Sequence, residues 1–346
     1  MFKINRQKMK AVLLLAGMAF ILSACSGAKE NEGAEWTFFA MDTYITLNAY
    51  GKNADAALDM AEDRMIELEH LWSVTDEKSE VTAMNRGNGD TVEVSDETAD
   101  LLAFTLQMAS QTNGALDPTI YPVVDAWGFT GQENRIPDVH ELNRLLENVG
   151  YSKVKQNGNE VTIPGGTKID FGAVGKGYAG DILADTLTDG GISSALIDLG
   201  GNIQAVGSKP DGSDWKIGIR NPTGDGHIGV LSVSDRAVVT SGSYERNFIG
   251  EDGKEYGHIL DPATGYPVEN GLLSVTIVAK QGKLCDALST SLFVMGLDKA
   301  IDYWKRYRDF DMILITEQKD IYLTEGIRPQ IELDETWGSG RLEVII

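Results

Sequence analysis

The sequence predicts an α+β protein, an antiparallel strand-rich core with flanking helices, built as two tightly joined lobes in one domain. Three observations lead there. Apolar residues recur at helical spacing between residues 53 and 148, and short strand-like runs dominate from about residue 151. The turns joining those runs draw on Gly with Asn, Asp or Ser, as in Asn157-Gly158 and Asp211-Gly212. Glycine supplies 38 of 346 residues, and 15 of the 62 from Gly165 to Gly226. That excess suits tight turns and backbone lying close to a ligand.

In chain order, Phe38 to Tyr50 reads as one strand, with Thr and Ile alternating. Ala57, Met60, Ala61, Met65, Leu68 and Leu71 set a helix over Asn53–Trp72. Ser95 caps a second helix reaching Gln111, and Asp138 caps a third over Val139–Asn148. Strands are expected at Tyr151–Lys155, Glu160–Ile163, Thr167–Asp170, Ala195–Leu199, Trp215–Arg220, Gly229–Val233 and Val238–Ser241. Helices over Gly177–Asp189 and Lys283–Met295 lie among them. Strands return at Met312–Thr316 and Ile321–Thr324.

Charge and composition narrow the function. Thirty Lys+Arg stand against 52 Asp+Glu, a net charge of −22, which argues against a nucleic-acid partner. Two cysteines build neither a disulfide framework nor a four-thiolate zinc site. At the start, Lys3, Arg6, Lys8 and Lys10 precede the apolar run Ala11–Leu22, too short to span a bilayer. Leu22-Ser23-Ala24-Cys25 resembles a bacterial lipobox, whose cysteine becomes the acylated first residue. The expected organisation is therefore a signal peptide over 1–24, a lipid-anchored tether over 25–35 and a folded domain over 36–346, an enzyme or small-ligand binder by its composition. The protein would sit on the extracytoplasmic face of the cell membrane, held by lipid on Cys25.

Three segments can carry chemistry. Asp170-Phe171-Gly172-Ala173-Val174-Gly175-Lys176-Gly177 follows a short strand and opens a helix. Its N–H groups and Lys176 suit an anion, although such a turn is also a common structural device. Asp286 and Thr290 lie four apart on one helical face, an oxygen pair suited to Mg²⁺, or else a helix cap with a back-bonded hydroxyl. His258, at a strand end before the Asp261-Pro262-Ala263-Thr264-Gly265 turn, is the best placed of four histidines for a general base, or a hydrogen-bonded structural residue. Cys285 reads as a packed residue more than a nucleophile. Gly-x-Ser-x-Gly, HExxH and paired CxxC motifs are absent from the sequence.

Together these segments resemble the ApbE family of FAD:protein FMN transferases. The likeness runs from about Met41 to Leu323. It is carried by Met41-Asp42-Thr43, Gly114-Ala115-Leu116-Asp117-Pro118-Thr119, Trp127-Gly128-Phe129, Asp170–Asp181, Asp198–Asn202, Ser241–Arg246, the run from His258 to Pro267 and Asp286–Thr290. The resemblance implies an ApbE-like fold and FAD as substrate, contacted at Met41, Ala115, Leu116, Asp117, Asp170, Lys176 and the Leu260 backbone region. It implies Mg²⁺ held by Asp286, Thr290 and the Ala173 carbonyl, with His258 catalytic. The implied reaction moves FMN onto a threonine of an extracytoplasmic redox protein and releases AMP. Alternatives are an FAD pyrophosphatase giving FMN and AMP, or a non-catalytic flavin carrier. Two positions depart from the family pattern: most members carry Gly where this chain has Asp42, and a flavin-contacting aromatic aligns near Thr75.

Overall fold

The computed structural model describes residues 33–131, 133–334, 337 and 340–346. The signal segment, Cys25 and the tether up to residue 32 lie outside the described residues. Gly33–Ala40 (β1) and Thr43–Tyr50 (β2) form a hairpin where one strand was expected from Phe38. Ala40 pairs with Thr43, so the loop is Met41-Asp42 alone, with φ of 49° and 59°. Two successive left-handed residues are what a two-residue hairpin needs. The inward positions shift parity across the turn, from Trp36, Phe38 and Ala40 to Ile45, Leu47 and Ala49, and the apolar run Phe38-Phe39-Ala40-Met41 hides that shift in the sequence. Strand begins at Gly33, which shortens the tether expected to reach residue 35.

Among the described residues the main sheet has nine strands, whose spatial order is their chain order. After β1 and β2 come Ser194–Leu199 (β3), Ile203–Val206 (β4), Ala237–Gly242 (β5) and Leu272–Ala279 (β6). Asp311–Thr316 (β7), Ile321–Thr324 (β8) and Leu342–Ile345 (β9) complete it. Neighbours are antiparallel except β8 and β9, which run parallel. The helices are Ala54–Trp72 (α1), Glu80–Arg86 (α2), Asp96–Gln111 (α3), Tyr121–Ala126 (α4), Val139–Leu146 (α5), Gly175–Asp189 (α6), Gly282–Met295 (α7) and Leu297–Tyr307 (α8).

One face of the sheet is covered by helices. Leu58 and Met65 of α1, Leu183 of α6, and Leu288 and Leu292 of α7 bury against Ile45, Ile197, Val275 and Ile277. The other face, at Val238, Val278, Ile313 and Ile315, is covered by a three-stranded sheet bringing Trp215, Ile217 and Leu231. Both layers share one sheet, so the expected lobes are two sides of a single domain. A smaller cluster of Val123, Trp127, Leu142, Tyr256 and Leu260 fastens the 258–267 turn to α4 and α5. Apolar burial of this kind is the main favourable term holding the layers together.

Helix starts follow their caps. Ser79 Oγ accepts the Thr82 N–H at 2.9 Å, and Asp138 Oδ1 accepts the His140 N–H at 2.6 Å. Of the expected strands, the one over Tyr151–Lys155 is displaced to Lys155–Asn157 and the one over Thr167–Asp170 is absent. Tyr151–Lys153 is a 3-10 turn, because Gly150 sits at φ 143° and the Tyr151 N–H is drawn to Asp117 Oδ2 at 2.9 Å. Over 167–170 the chain is irregular. Ile169 exchanges hydrogen bonds of 2.7 and 2.8 Å with the Asn85 side-chain amide, which stands in for a strand partner.

Candidate active site

The starts of α6 and α7 face one another, and neither has a side-chain cap of its own. Val174 and Gln281 occupy the two N-cap positions. Each helix is capped by the other. Asp286 Oδ2, from α7, accepts the Gly177 N–H of α6 at 2.8 Å. Asp181, from α6, accepts the Gly282 N–H at 2.6 Å and the Lys283 N–H at 3.0 Å. The first N–H groups of a helix have no intrahelical partner, and carboxylates complement its positive end. Asp286 therefore serves the neighbouring helix, and the alternative in which it caps its own does not hold.

Such closeness needs glycine at both crossing points. A Cβ on Gly177 would overlap the Gly282 carbonyl oxygen and sit 2.6 Å from Asp286 Cβ. Gly180, one turn on, has room, its nearest contact being Leu199 Cδ1 at 3.5 Å. Gly177→Ala is expected to destabilise the fold by about 1–3 kcal/mol, read by urea denaturation, through overpacking against backbone. Gly180→Ala is expected to be neutral or stabilising, since alanine favours helix. Equal effects at both positions would contradict the close crossing.

The cross-cap also frees an oxygen. Helical geometry would direct the Gly177 N–H toward the Ala173 carbonyl; it donates to Asp286 instead. Among the described residues, the Ala173 carbonyl accepts no backbone hydrogen bond. Thr290 Oγ1 lies 3.2 Å from Ser241 Oγ, and Ser289 takes the back-bond to the Asp286 carbonyl at 3.0 Å. Burial pushes the Asp286 carboxyl up, opposed by the Lys176 charge and the N–H groups of Gly177 and Lys176. Asp286 forms no salt bridge among the described residues. A buried carboxylate with a hydroxyl and a free carbonyl suits a hard cation that keeps water or phosphate as its other ligands. No cluster of three His, Cys, Asp or Glu competes for a metal among the described residues.

His258 adjoins this end of the molecule. Its backbone N–H and its ring Nδ1 both meet the Arg246 carbonyl, at 2.9 and 3.2 Å. A carbonyl only accepts, so Nδ1 carries the proton and Nε2 keeps its lone pair. Burial, then the charge of Arg246, holds the imidazole down to about 4, with Lys176 adding to the shift. Glu245 faces the same charges: burial pushes its carboxyl up, against Lys176, Arg220 and Arg246.

The remaining expected residues fall on adjoining loops. The Asp170 N–H donates to the Pro118 carbonyl at 3.1 Å, joining the 170–177 loop to the 114–119 loop. Burial raises the Asp170 carboxyl to about 6. Asp117 is committed internally: Oδ1 accepts the N–H and hydroxyl of Thr119 and Oδ2 the Tyr151 N–H. Leu116 and Leu260 are 3% and 6% exposed, so chiefly their backbones can face a ligand. Ala115 is half-buried beside them. A cavity of about 260 Å³ lies between Asn113, Gly114, Asp117, Pro262 and Ala263. Met41, in its left-handed turn, donates its N–H to Glu69 Oε1 at 2.7 Å. Thr75 lies in the loop after α1, bonded to Ser73 Oγ at 3.0 Å. Cys285 is fully buried and its thiol is pushed up by burial, an inert packed group.

Sequence reasoning quoted Gly177, Asp181, Ser241 and Arg246 only within longer matching segments and gave none of them a role of its own in the site. For Asp181 and Gly177 a signal existed. Two helices opening on Val174 and Gln281, without Ser, Thr, Asp or Asn, need acceptors from elsewhere.

Fold and site together define an α+β protein whose working end is two mutually capped helix starts beside a neutral histidine. The ApbE family model matches residues 41–314, and the chain belongs to the ApbE family. The FAD:protein FMN transferase of Treponema pallidum is 30% identical over 345 residues, covering 93% of this chain and 94% of that protein. The crystal structure of the ApbE protein from Thermotoga maritima superposes with a TM-score of 0.82 at 33% identity, covering 86% of this chain and 99% of that one. The flavin transferase ApbE from Vibrio cholerae gives 0.79 at 26%, covering 87% and 99%.

Proposed function

We propose that this protein is a flavin transferase, moving the FMN portion of FAD onto a threonine hydroxyl of an acceptor protein and releasing AMP. The observation that carries the reading is the cross-cap: Asp286 takes the Gly177 N–H, which leaves the Ala173 carbonyl open at the positive end of α6, with Thr290 one turn on from Asp286. Those three groups would hold Mg²⁺, whose chemistry there is to neutralise pyrophosphate charge. Lys176 and the α6 start add positive potential, which a chain of net charge −22 must supply locally. His258 Nε2 takes the proton from the threonine hydroxyl as its oxygen bonds to the FMN phosphorus. The bond from that phosphorus to the bridging oxygen breaks, and AMP leaves with the electron pair. The family membership and the transferase relatives support this reading. The lipobox-like segment ending in Cys25 supports an extracytoplasmic, lipid-anchored setting, with acceptors in redox chains outside the cytoplasm.

The test incubates the full chain with FAD, Mg²⁺ and a threonine-bearing acceptor protein, reading flavin fluorescence on denaturing gels and AMP release. Covalent fluorescence on the acceptor with AMP is expected. Free FMN with AMP would show a pyrophosphatase instead, and unchanged FAD a carrier.

A further inference from the structure

We propose that Asp42 is a positioning residue for this chemistry, acting on His258 through Arg246. The inference rests on His258 being the base of the proposed transfer. Arg246 is the hub. Its guanidinium Nη2 lies 2.9 Å from Asp42 Oδ2 and donates to the Asp42 carbonyl at 3.4 Å. Its own carbonyl receives the backbone N–H of His258 at 2.9 Å and the ring Nδ1–H at 3.2 Å. One residue thus grips the β1–β2 turn with its side chain and the imidazole with its backbone.

The turn is held from its other side as well. Met41 donates its N–H to Glu69 Oε1 of α1 at 2.7 Å. The Met41-Asp42 pair is therefore clasped between α1 and the 246–258 segment, across 204 residues of sequence from Asp42 to Arg246. Asp42 sits at φ 59°, a conformation in which glycine is unstrained and a carboxylate residue is merely tolerated. What the carboxylate adds over glycine is the charge that Arg246 meets. With the guanidinium anchored, the Arg246 carbonyl has one orientation to offer the imidazole, and Nε2 is aimed accordingly. With it released, the 243–258 segment and the ring it carries gain freedom.

Two substitutions separate the parts of the clasp. Asp42→Gly suits the turn and removes only the carboxylate; Arg246→Ala removes the guanidinium and leaves the carbonyl. In the full chain labelled with ¹⁵N-histidine, solvent exchange of the His258 Nδ1–H is expected to quicken about two- to fivefold in each, the upper size of one exposed ion pair. The double variant is expected to match Arg246→Ala, since without the guanidinium the Asp42 carboxylate has no partner in the clasp. High salt should quicken wild-type exchange similarly and leave the variants unmoved. Transfer from FAD should fall by the same factor in kcat, with KM for FAD unchanged. Unchanged exchange in both singles, or multiplied effects in the double, would overturn the clasp. If wild type yields neither labelled acceptor nor AMP, the transferase reading fails, while the exchange measurement still decides the clasp.

Discussion

Replacing His258 with glutamine is expected to slow FMN transfer by about 10²–10⁴-fold, the usual worth of a positioned general base. Glutamine keeps a polar side chain of similar reach and lacks a basic nitrogen. The reasoning starts at Nδ1, whose proton is committed to the Arg246 carbonyl at 3.2 Å. Nε2 is then the only basic ring position. Burial and the Arg246 charge hold the imidazole down to about 4, so the neutral, competent form persists well below neutral pH. The acid limb of kcat/KM should accordingly fall near 4, not near the ordinary histidine value of 6.5. Above that limb the ring accepts a proton; below it the ring is already charged. The rate is measured by acceptor fluorescence and AMP release across pH. A glutamine variant transferring at the wild-type rate would remove His258 from the mechanism.

Asp286→Asn should have opposite consequences without and with Mg²⁺. Burial raises the Asp286 carboxyl, so its ionised form is the disfavoured one in the cation-free protein. A folded pKa above the unfolded value contributes stability at low pH, and that contribution is lost as pH rises through the folded pKa. At higher pH the aspartate therefore has nothing to lose by becoming asparagine. The amide oxygen still accepts the Gly177 N–H that Asp286 takes at 2.8 Å. The cation-free variant should melt at or above the wild-type temperature. With Mg²⁺ alone added at a hundred times its Kd, wild type should gain about 2.7 kcal/mol of stability by mass action. The variant should gain little and transfer little. Thermal melts with and without Mg²⁺ check both signs, and an equal Mg²⁺ shift in the two proteins would dismiss Asp286 as a ligand.

Periodicity and caps made much of the scaffold legible. The helix over Asn53–Trp72 appears as Ala54–Trp72, and the strands Trp215–Arg220 and Ile321–Thr324 appear with the expected bounds. β6 escaped, because six of its last six residues are buried and a strand covered on both faces shows no alternation. α8 escaped for lack of a start signal, as Gly296 at φ 81° is its N-cap. In the site, residue types were readable and partners were not. Asp286 and Thr290 announce themselves four residues apart, whereas Gly177 is 109 residues from Asp286 and Ser241 is 49 from Thr290. The open Ala173 carbonyl follows from a hydrogen bond made elsewhere, which only packing reveals.

The ordering of the nine strands has a practical side. β1 and β9 form opposite margins of the sheet, and eight steps of about 4.8 Å separate them by roughly 38 Å. Many domains bring their ends together; this one holds them a sheet-width apart. Joining the ends in a circular permutant would take a connector of at least about eleven extended residues. A fluorophore or surface attachment placed after β9 would stand far across the sheet from the Met41-Asp42 turn, leaving that turn free for single-molecule observation of acceptor encounters.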